Sequence, residues 1–201
     1  MAPVIAVDLD EVLGDFVSPL CSFHNEKYGT RLKRADFFSY RFCEVWGGND
    51  VQATEKVHDF FKTPYFKNQP VIPGAQEALP KLRGLGFELV VVTSRQFKIA
   101  QDTRMWLEHN FPKGTFKDVA FGNHWGLEGH KVTKKELCQK LGASLLIDDS
   151  LSYIQEVSQC GIKGLLFDLD GKYPWNKTSE LPVGVTRVHS WDQVVDRVQG
   201  I

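Results

Sequence analysis

Five short apolar runs constrain the fold more than any other feature of the sequence. They are VIAV at 4–7, FELVVV at 87–92, DVAF at 118–121, SLLI at 144–147 and GLLF at 164–167. Runs of Val, Ile and Leu without polar alternation are typical of strands that are covered on both faces, as the strands of a parallel sheet are. The sequence therefore predicts a buried, mostly parallel sheet.

Helical patterns fill the intervals between the later runs. They cover residues 97–111, 133–142 and 150–161, and residues 184–198 predict one more strand followed by a helix. Gly142 and Gly161 suit helix C-caps, whereas Pro80 predicts a helix that is short or kinked. Strands that alternate with helices in this order predict an α/β fold with a doubly wound, Rossmann-like sheet.

The stretch between the first two predicted strands differs in kind. Residues 15–72 are rich in aromatic side chains, follow mostly helical patterns and end at the Pro-rich turn NQPVIPG. Because this stretch separates the first strand from the second, we expect a small helical cap inserted over the sheet. The predicted core domain then comprises residues 1–14 and 73–201, and the cap covers the strand ends where ligands bind in such sheets.

Composition limits the partners and the compartment. The 201 residues suffice for one domain with an insert, and a net charge of −1 provides no positive field to hold a large nucleic acid. No apolar stretch approaches the roughly 20 residues that a membrane span needs, and the start MAPVIAVDL lacks the basic region of a signal peptide. The four cysteines form no C-x-x-C pair, which favours a reducing compartment. We therefore expect a cytoplasmic protein, and the sequence carries no signal for its oligomeric state.

Polar side chains follow three of the predicted strands, at the point where each strand ends. The three pairs are Asp8 and Asp10, Thr93 and Ser94, and Asp148 and Asp149. The carboxyl ends of strands in an open α/β sheet form the ligand-binding edge. Carboxylates and hydroxyls together supply what a divalent cation and a phosphoryl group require, namely hard oxygen ligands and hydrogen-bond donors.

In order and spacing, these residues resemble the four motifs of the haloacid dehalogenase (HAD) superfamily. DLDEV at 8–12 is similar to the first motif, Asp-x-Asp followed by Thr or Val two residues later, and VVTS at 91–94 is similar to the second. Lys134 within TKKELC resembles the third motif, and LIDD at 146–149 resembles the fourth. The resemblance extends over nearly the whole chain, and the 15–72 insert resembles the C1-type cap that this superfamily places after its first motif.

The resemblance implies a Mg²⁺-dependent phosphomonoester hydrolase. Asp8 would attack phosphorus and form an aspartyl-phosphate, and Asp10 would act as general acid and base. The implied metal ligands are Asp8, the backbone carbonyl of Asp10, Asp148 and Asp149, although a helix or turn cap is the alternative role for Asp149. Magnesium would offset the repulsion between the nucleophile and the phosphate.

The resemblance also implies a phosphate-binding group. Thr93 and Ser94 would donate hydrogen bonds to phosphoryl oxygens, and Lys134 would stabilise the negative charge of the phosphate and the nucleophile. Capping of the following helix is the alternative for both hydroxyls. Lys131 and Lys135 are alternatives to Lys134, because a solvated lysine face has the same pattern.

A second Asp-Leu-Asp, at 168–170, has the wrong context for a first motif. It comes after the fourth motif, and Lys172 stands where Thr or Val is wanted. We expect a solvated loop there and no catalysis by Asp168 or Asp170.

Several aromatic and imidazole side chains have two interpretations. Phe37, Phe38, Tyr40 and Trp46 are expected to form the insert's own core, and the alternative is that some of them stack on a nucleobase. His124 could reach the cleft, but a lone histidine is more often structural, and we leave it out of the site.

Within the superfamily, DLDEVLGDF, the helical insert and the passage from FFKTPYF to PGAQEALPKL resemble the 5′(3′)-deoxyribonucleotidase branch. The resemblance implies a small phosphorylated substrate, with 5′-nucleotides among the candidates. The chain departs from that branch at Glu11, where glycine is usual, and at Arg95, where proline is usual. Thr103 and Arg104 stand where a lysine is expected.

Two other functions stay open at this point. One is a HAD-fold protein that binds a phosphorylated ligand or a protein without turnover, and the presence of both Asp8 and Asp10 argues against it. The other is phosphoryl transfer to a different acceptor or an unusual reaction such as dehalogenation. The paired aspartates disfavour dehalogenation, because they suit proton transfer to an oxygen leaving group.

Overall fold

One parallel sheet of six strands forms the centre of the computed structural model, which describes residues 2–124 and 129–200. The strands are β1 (Val4–Val7), β2 (Glu88–Thr93), β3 (Asp118–Phe121), β4 (Ala143–Asp148), β5 (Lys163–Phe167) and β6 (Val185–Val188). Their order in the sheet is β3-β2-β1-β4-β5-β6. The first five strands lie on the apolar runs of the sequence, and the predicted α/β fold class is confirmed.

The first strand lies in the middle of the sheet and fixes the position of the site. Val7 pairs with Val91 of β2 on one side and with Ile147 of β4 on the other. Asp8 and Asp148, the next residues, therefore lie beside each other at the carboxyl edge. The strand order reverses between β1 and β4, and open α/β sheets bind ligands at such a switch point.

Helices cover both faces of the sheet. The described residues contain α1 (Val17–Tyr28), α2 (Phe42–Trp46), α3 (Asp50–Phe61), α4 (Pro64–Lys67), α5 (Ala75–Gly84), α6 (Ala100–Asn110), α7 (Lys134–Lys140), α8 (Leu151–Ser158) and α9 (Trp191–Gln199). Because successive strand side chains alternate between faces, Ile5 and Val7 pack with α5, α6 and α9, whereas Ala6 packs with α7 and α8. None of the helices in the described residues is long and apolar enough to span a bilayer.

Helix α5 continues for four residues beyond Pro80. The sequence predicts a helix that is short or kinked there, because proline removes a helical hydrogen bond. The helix nevertheless spans ten residues. Ala75, Ala78, Leu79 and Leu82 are all buried against the sheet, and this apolar face offsets the loss of one hydrogen bond.

Helices α1 to α4 come between β1 and β2 and have a hydrophobic cluster of their own. Phe16, Phe23, Phe37 and Phe60 lie in that cluster, and the rings of Phe16 and Phe60 meet edge to face at 5.3 Å. The insert is therefore helical and aromatic in its core. The exact division into residues 15–72 and a core of 1–14 and 73–201 stays a prediction.

The loop after β1 is held by aromatic residues from the far end of the chain. The Tyr173 hydroxyl donates to the Glu11 carbonyl at 2.8 Å, and the Trp191 indole N–H donates to the Val12 carbonyl at 3.0 Å. Both rings are almost completely buried. The loop that carries Asp8 and Asp10 is therefore braced by residues more than 150 positions later in the sequence.

Candidate active site

Three buried carboxylates meet at the carboxyl ends of β1 and β4. One oxygen from each of Asp8, Asp148 and Asp149 lies within 4.8 Å of the others. The adjacent positions of β1 and β4 in the sheet bring them together, since Val7 pairs with Ile147. Three of the four metal ligands implied by the sequence thus lie in one place. Buried carboxylates at such distances repel one another and need cations.

Lys134 is the cation within this carboxylate cluster. Its ammonium group lies 2.7 Å from Asp8 Oδ1 and 2.5 Å from Asp148 Oδ2, and its side chain is 1% exposed. Thr133 caps helix α7 by accepting a hydrogen bond from the Glu136 N–H, so Lys134 is the first helical residue. Of the three lysines considered from the sequence, Lys131 is exposed, and the geometry favours Lys134.

Burial raises the proton affinity of the carboxylates. The pKa of Asp8 rises to about 7, because burial outweighs the favourable charge of Lys134 and the nearby Asp148 and Asp10 add repulsion. The pKa of Asp149 lies well above its usual range, again through burial and then through Asp148 and Asp8. Burial alone would lower the pKa of Lys134, but Asp148 and Asp8 raise it above its ordinary value. The single positive charge of Lys134 therefore does not balance the three carboxylates of the cluster.

The Asp10 carboxylate is not one of the three clustered carboxylates and is held by Arg95. The Arg95 Nε donates to both Asp10 oxygens, at 3.0 and 3.2 Å, and Nη2 donates to Oδ1 at 2.6 Å. The Asp10 side chain is 24% exposed, whereas that of Arg95 is 3% exposed. Sequence reasoning noted Arg95 only as a departure and missed this contact. The available signal was its position directly after the second motif.

The two hydroxyls after β2 have different surroundings. Thr93 is fully buried and its hydroxyl accepts a hydrogen bond from the Arg95 N–H at 3.2 Å, so it supports the turn. The Ser94 side chain lines the cavity at this site, where it also interacts with the Tyr153 hydroxyl. Neither caps the following helix, because the N-cap positions there are Gln96 and Ile99. The geometry favours Ser94 over Thr93 as a donor to a ligand.

A cavity of about 290 Å³ lies between the carboxylates and the helical insert. Its inner end holds Asp8, Asp10, Asp149 and Lys134. The cavity is also lined by apolar and aromatic side chains, namely Phe16, Phe42, Ala53, Val57, Phe61 and Tyr153. Arg41, Asp50 and Thr54 also line it. The cavity therefore combines charged side chains with apolar and aromatic ones.

Asp149 is tied to the insert by Tyr40. The Tyr40 hydroxyl and the Trp175 indole N–H both donate to Asp149 Oδ2, the second at 2.8 Å. Asn176 donates to the Asp149 carbonyl at 2.9 Å. The N-cap of α8 is Ser150, so Asp149 does not cap that helix. Of the insert aromatics that the sequence singled out, Tyr40 is thus the one that reaches a carboxylate of the site, whereas Phe37 lies in the insert's own cluster and Phe38 is exposed.

Glu11 takes an unusual backbone conformation beside the site. Its φ of 63° lies in the left-handed region that favours glycine. The buried carboxylate accepts hydrogen bonds from the N–H groups of Phe16 and Val17, at 2.9 and 2.6 Å, and pairs with Arg34. Burial raises its pKa to about 7 even though Arg34 acts in the opposite sense. Glu11 thus caps the start of α1, where Phe16 offers no side-chain acceptor.

The two carboxylates of the second Asp-Leu-Asp are bonded by other residues of the chain. Asp168 is 1% exposed and accepts from Lys177 at 2.7 Å, from Arg187 at 3.0 Å and from the Tyr173 N–H at 2.8 Å. Asp170 is exposed and pairs with Lys172. No carboxyl group of this loop belongs to the metal-binding group found in the described residues.

His124 makes hydrogen bonds with the Tyr153 hydroxyl at 2.8 Å and the Val132 carbonyl at 2.9 Å. Both ring nitrogens therefore have structural partners. Burial lowers its pKa, which favours the neutral ring.

Comparison with known proteins identifies relatives of this sequence. A family model described as "5′ nucleotidase, deoxy (Pyrimidine), cytosolic type C protein" matches residues 2–200. The chain is 25% identical over 126 residues to a 5′(3′)-deoxyribonucleotidase of Clostridium acetobutylicum, an alignment that covers 62% of this chain and 68% of that protein.

Solved structures share the fold. A predicted phosphatase of Clostridium acetobutylicum matches over the whole of both chains, with a TM-score of 0.74 and 19% identity. A HAD-hydrolase candidate of Bacillus subtilis, crystallised with magnesium, matches over 98% of both chains with a TM-score of 0.67 and 14% identity.

Proposed function

Since the chain belongs to the family of 5′ nucleotidase, deoxy (pyrimidine), cytosolic type C proteins, we propose that it is a Mg²⁺-dependent phosphomonoesterase with an aspartyl-phosphate intermediate. The family and the fold make it a phosphatase of the haloacid dehalogenase type. The proposal concerns the metal, the intermediate, the roles of the residues and the substrate.

The observation that carries the proposal is the charge of the buried cluster. Asp8, Asp148 and Asp149 have oxygens within 4.8 Å of one another, and Lys134 bonds only two of the three. Carboxylate oxygens are the ligands that Mg²⁺ prefers, and a divalent cation would balance the remaining charge. The donor set therefore fits magnesium, with Asp8, Asp148 and Asp149 as side-chain ligands and the Asp10 carbonyl as the fourth protein ligand. When bound, the cation would reduce the repulsion between the nucleophile and an anionic phosphate.

In the first step, Asp8 attacks phosphorus. Its Oδ1 is paired with Lys134, which leaves Oδ2 to form the new O–P bond as the bond to the leaving oxygen breaks. Asp10 gives its proton to that oxygen, so the alcohol leaves neutral. Lys134 and the Ser94 hydroxyl stabilise the charge on the phosphoryl group.

In the second step, water attacks the phosphorus of the aspartyl-phosphate. Asp10, now a carboxylate, takes a proton from the water, and the bond between phosphorus and Asp8 breaks. Inorganic phosphate is released, and both aspartates return to their starting states. Asp10 lines the cavity and is partly exposed, as a group that exchanges protons with substrate and water must be.

The cavity supports a small ester with a flat apolar body as the substrate. Phe16, Phe42 and Phe61 line the cavity, and aromatic rings stack on bases. Arg41 also lines the cavity and has N–H groups beyond the two that bond Glu44 and Asp50. A nucleoside monophosphate has this combination of a phosphate, a sugar and a flat heterocycle with polar edges, and the nucleotidase relative points the same way.

The test is a panel of phosphate monoesters that includes nucleoside monophosphates, sugar phosphates and p-nitrophenyl phosphate. We expect phosphate release that requires Mg²⁺, is fastest with nucleotides and is abolished by Asp8→Asn. Asp170→Asn, in the second Asp-Leu-Asp, is the matched control and should retain activity. Acid quenching during turnover should place one phosphoryl group on the peptide that contains Asp8. Tight binding of a phosphate ester with no turnover by the wild type would instead establish the non-catalytic alternative.

A further inference from the structure

Arg95 is a buried cation with no role in the reaction described so far. Its guanidinium group grips Asp10 through three contacts of 2.6 to 3.2 Å. Among the described residues, it is the only donor to the Asp10 carboxylate. Bidentate pairs of this kind fix the plane of a carboxylate as well as its position.

Arg95 is itself anchored by three parts of the chain. Nη1 donates to the Thr103 hydroxyl of α6 at 3.1 Å, and Nη2 donates to Gln69 Oε1 at 2.6 Å. The guanidinium carbon also lies 4.8 Å from the centre of the Phe66 ring in α4. Thr103 in turn donates to the Ile99 carbonyl at 2.7 Å. Contacts on every side leave the guanidinium little freedom, so it is a rigid support for Asp10.

We propose that Arg95 is the positioning residue for Asp10, which it aims at the leaving oxygen of the substrate. The proposal rests on the proposed function, because it takes Asp10 as the proton donor of the first step. Arg95 acts through Asp10 and does not touch the substrate. Misplacement of a catalytic group by about 1 Å can cost about 100-fold in rate, so loss of the support should be visible in turnover.

The hydrogen bonds of Arg95 argue against direct phosphate binding. Nε, Nη1 and Nη2 all have protein acceptors, and Nη2 has two. Arg95 lines the cavity, and the second N–H of Nη1 could donate to a phosphate, but a bidentate contact with this group would require the phosphate to displace Asp10. Lys134 and Ser94 already supply donors in the cavity, so that exchange brings no evident gain.

Leaving-group dependence distinguishes positioning from a structural role. p-Nitrophenol departs as an anion without a proton, whereas an alkyl alcohol needs one, so only the alkyl ester depends strongly on a general acid. The quantity measured is kcat/KM, which covers the steps up to departure of the alcohol. We expect Asp10→Asn to lose about 10²- to 10⁴-fold on an alkyl phosphate and much less on p-nitrophenyl phosphate. Arg95→Gln should show the same selectivity, with a loss at least about tenfold greater on the alkyl ester.

A double-mutant cycle tests whether Arg95 acts through Asp10. The combined Asp10→Asn and Arg95→Gln protein should lose no more activity on the alkyl ester than Asp10→Asn alone. Arg104→Gln is the matched control, because Arg104 is exposed and bonds the Val119 carbonyl outside the cavity. It should leave kcat/KM unchanged on both esters. Arg95→Lys should recover only part of the activity, since lysine cannot form a bidentate pair.

Three results would overturn the proposal. The first is that Arg95→Gln loses kcat/KM equally on both esters and is inhibited less by inorganic phosphate. The second is that the losses of Asp10→Asn and Arg95→Gln multiply in the double mutant. The third is that Arg95→Gln loses no activity. If Arg95→Gln does not fold, Arg95→Lys and Thr103→Val decide by the same comparison of esters. If Asp10→Asn shows no leaving-group selectivity, the assigned role of Asp10 fails as well. If only the Arg95 variants lack selectivity, the inference alone fails.

Discussion

The stability of the metal-free protein should fall as the pH rises from 4 to 7, because of Asp8. Burial raises the pKa of this carboxyl from an ordinary value of 3.8 to about 7. In this window the unfolded chain has released the proton and the folded chain still holds it, so each pH unit costs about 1.4 kcal/mol of folding free energy. The difference of about three units corresponds to about 4 kcal/mol. Above pH 7 both states are ionised and the loss stops.

Urea unfolding monitored by tryptophan fluorescence can measure this loss, since the chain has five tryptophans. The free energy of unfolding is compared at several pH values in EDTA, for the wild type and for Asp8→Asn. The raised pKa of Glu11, also about 7, adds a similar slope to both proteins, so their difference measures Asp8 together with its coupling to Asp149. We expect the stability of the wild type relative to the variant to fall by about 4 kcal/mol between pH 4 and 7.

Magnesium should reverse the loss. A cation that binds the folded state alone stabilises it, and binding to carboxylates that release protons strengthens as the pH rises. The midpoint of urea unfolding should therefore increase with Mg²⁺ more at pH 8 than at pH 5. A stability difference that is flat or rises between pH 4 and 7 would refute the electrostatic reasoning, and so would a magnesium effect independent of pH.

Three further predictions concern single side chains. Lys134→Met should lower kcat/KM by at least about 100-fold, because a buried cation at the nucleophile is lost, whereas Lys131→Met should not change it. Tyr40→Phe should lower kcat/KM about tenfold or more, since a hydrogen bond to a carboxylate contributes about 1.5–3 kcal/mol. At pH 5, below the raised pKa of Glu11, Glu11→Ala should lower the free energy of unfolding by about 1–3 kcal/mol, because the Phe16 and Val17 N–H groups lose their buried acceptor.

Each of these has a result that would contradict it. Equal activity of the two lysine variants would place the phosphate lysine elsewhere. Unchanged kcat/KM in Tyr40→Phe would mean that the insert contact has no influence on the site. An unchanged free energy of unfolding of Glu11→Ala in urea titrations at pH 5 would show that this carboxyl group does not hold the start of α1.

The fold and the carboxylate cluster could be predicted because both follow from strand patterns. Unalternated apolar runs identify parallel strands, and neighbouring parallel strands bring Asp8 and Asp148 to one edge. The pairing of Tyr40 with Asp149 spans 109 positions and depends on how the insert packs, for which no local pattern exists. The choice between Thr93 and Ser94 likewise depends on the turn after β2. The continuation of α5 past Pro80 also depends on the burial of its apolar face.

Arg95 and Glu11 illustrate a different limit. Both residues depart from the pattern of the 5′(3′)-deoxyribonucleotidase branch that the sequence resembles. Such a departure does not by itself show what the new side chain contacts. Only the structure shows the contacts of these longer side chains. Arg95 donates to Asp10, and Glu11 accepts from the N–H groups at the start of α1. A charged residue near a site can bond neighbouring protein groups and make no contact with the ligand.

The aromatic braces on the β1 loop have a consequence for how the protein is made. Tyr173 and Trp191 hold the Glu11 and Val12 carbonyls, and Trp175 holds Asp149. A nascent chain that has emerged only as far as β5 already contains every motif residue yet lacks the side chains that fix them. The candidate site therefore becomes rigid late in synthesis, although Asp8 directly follows β1.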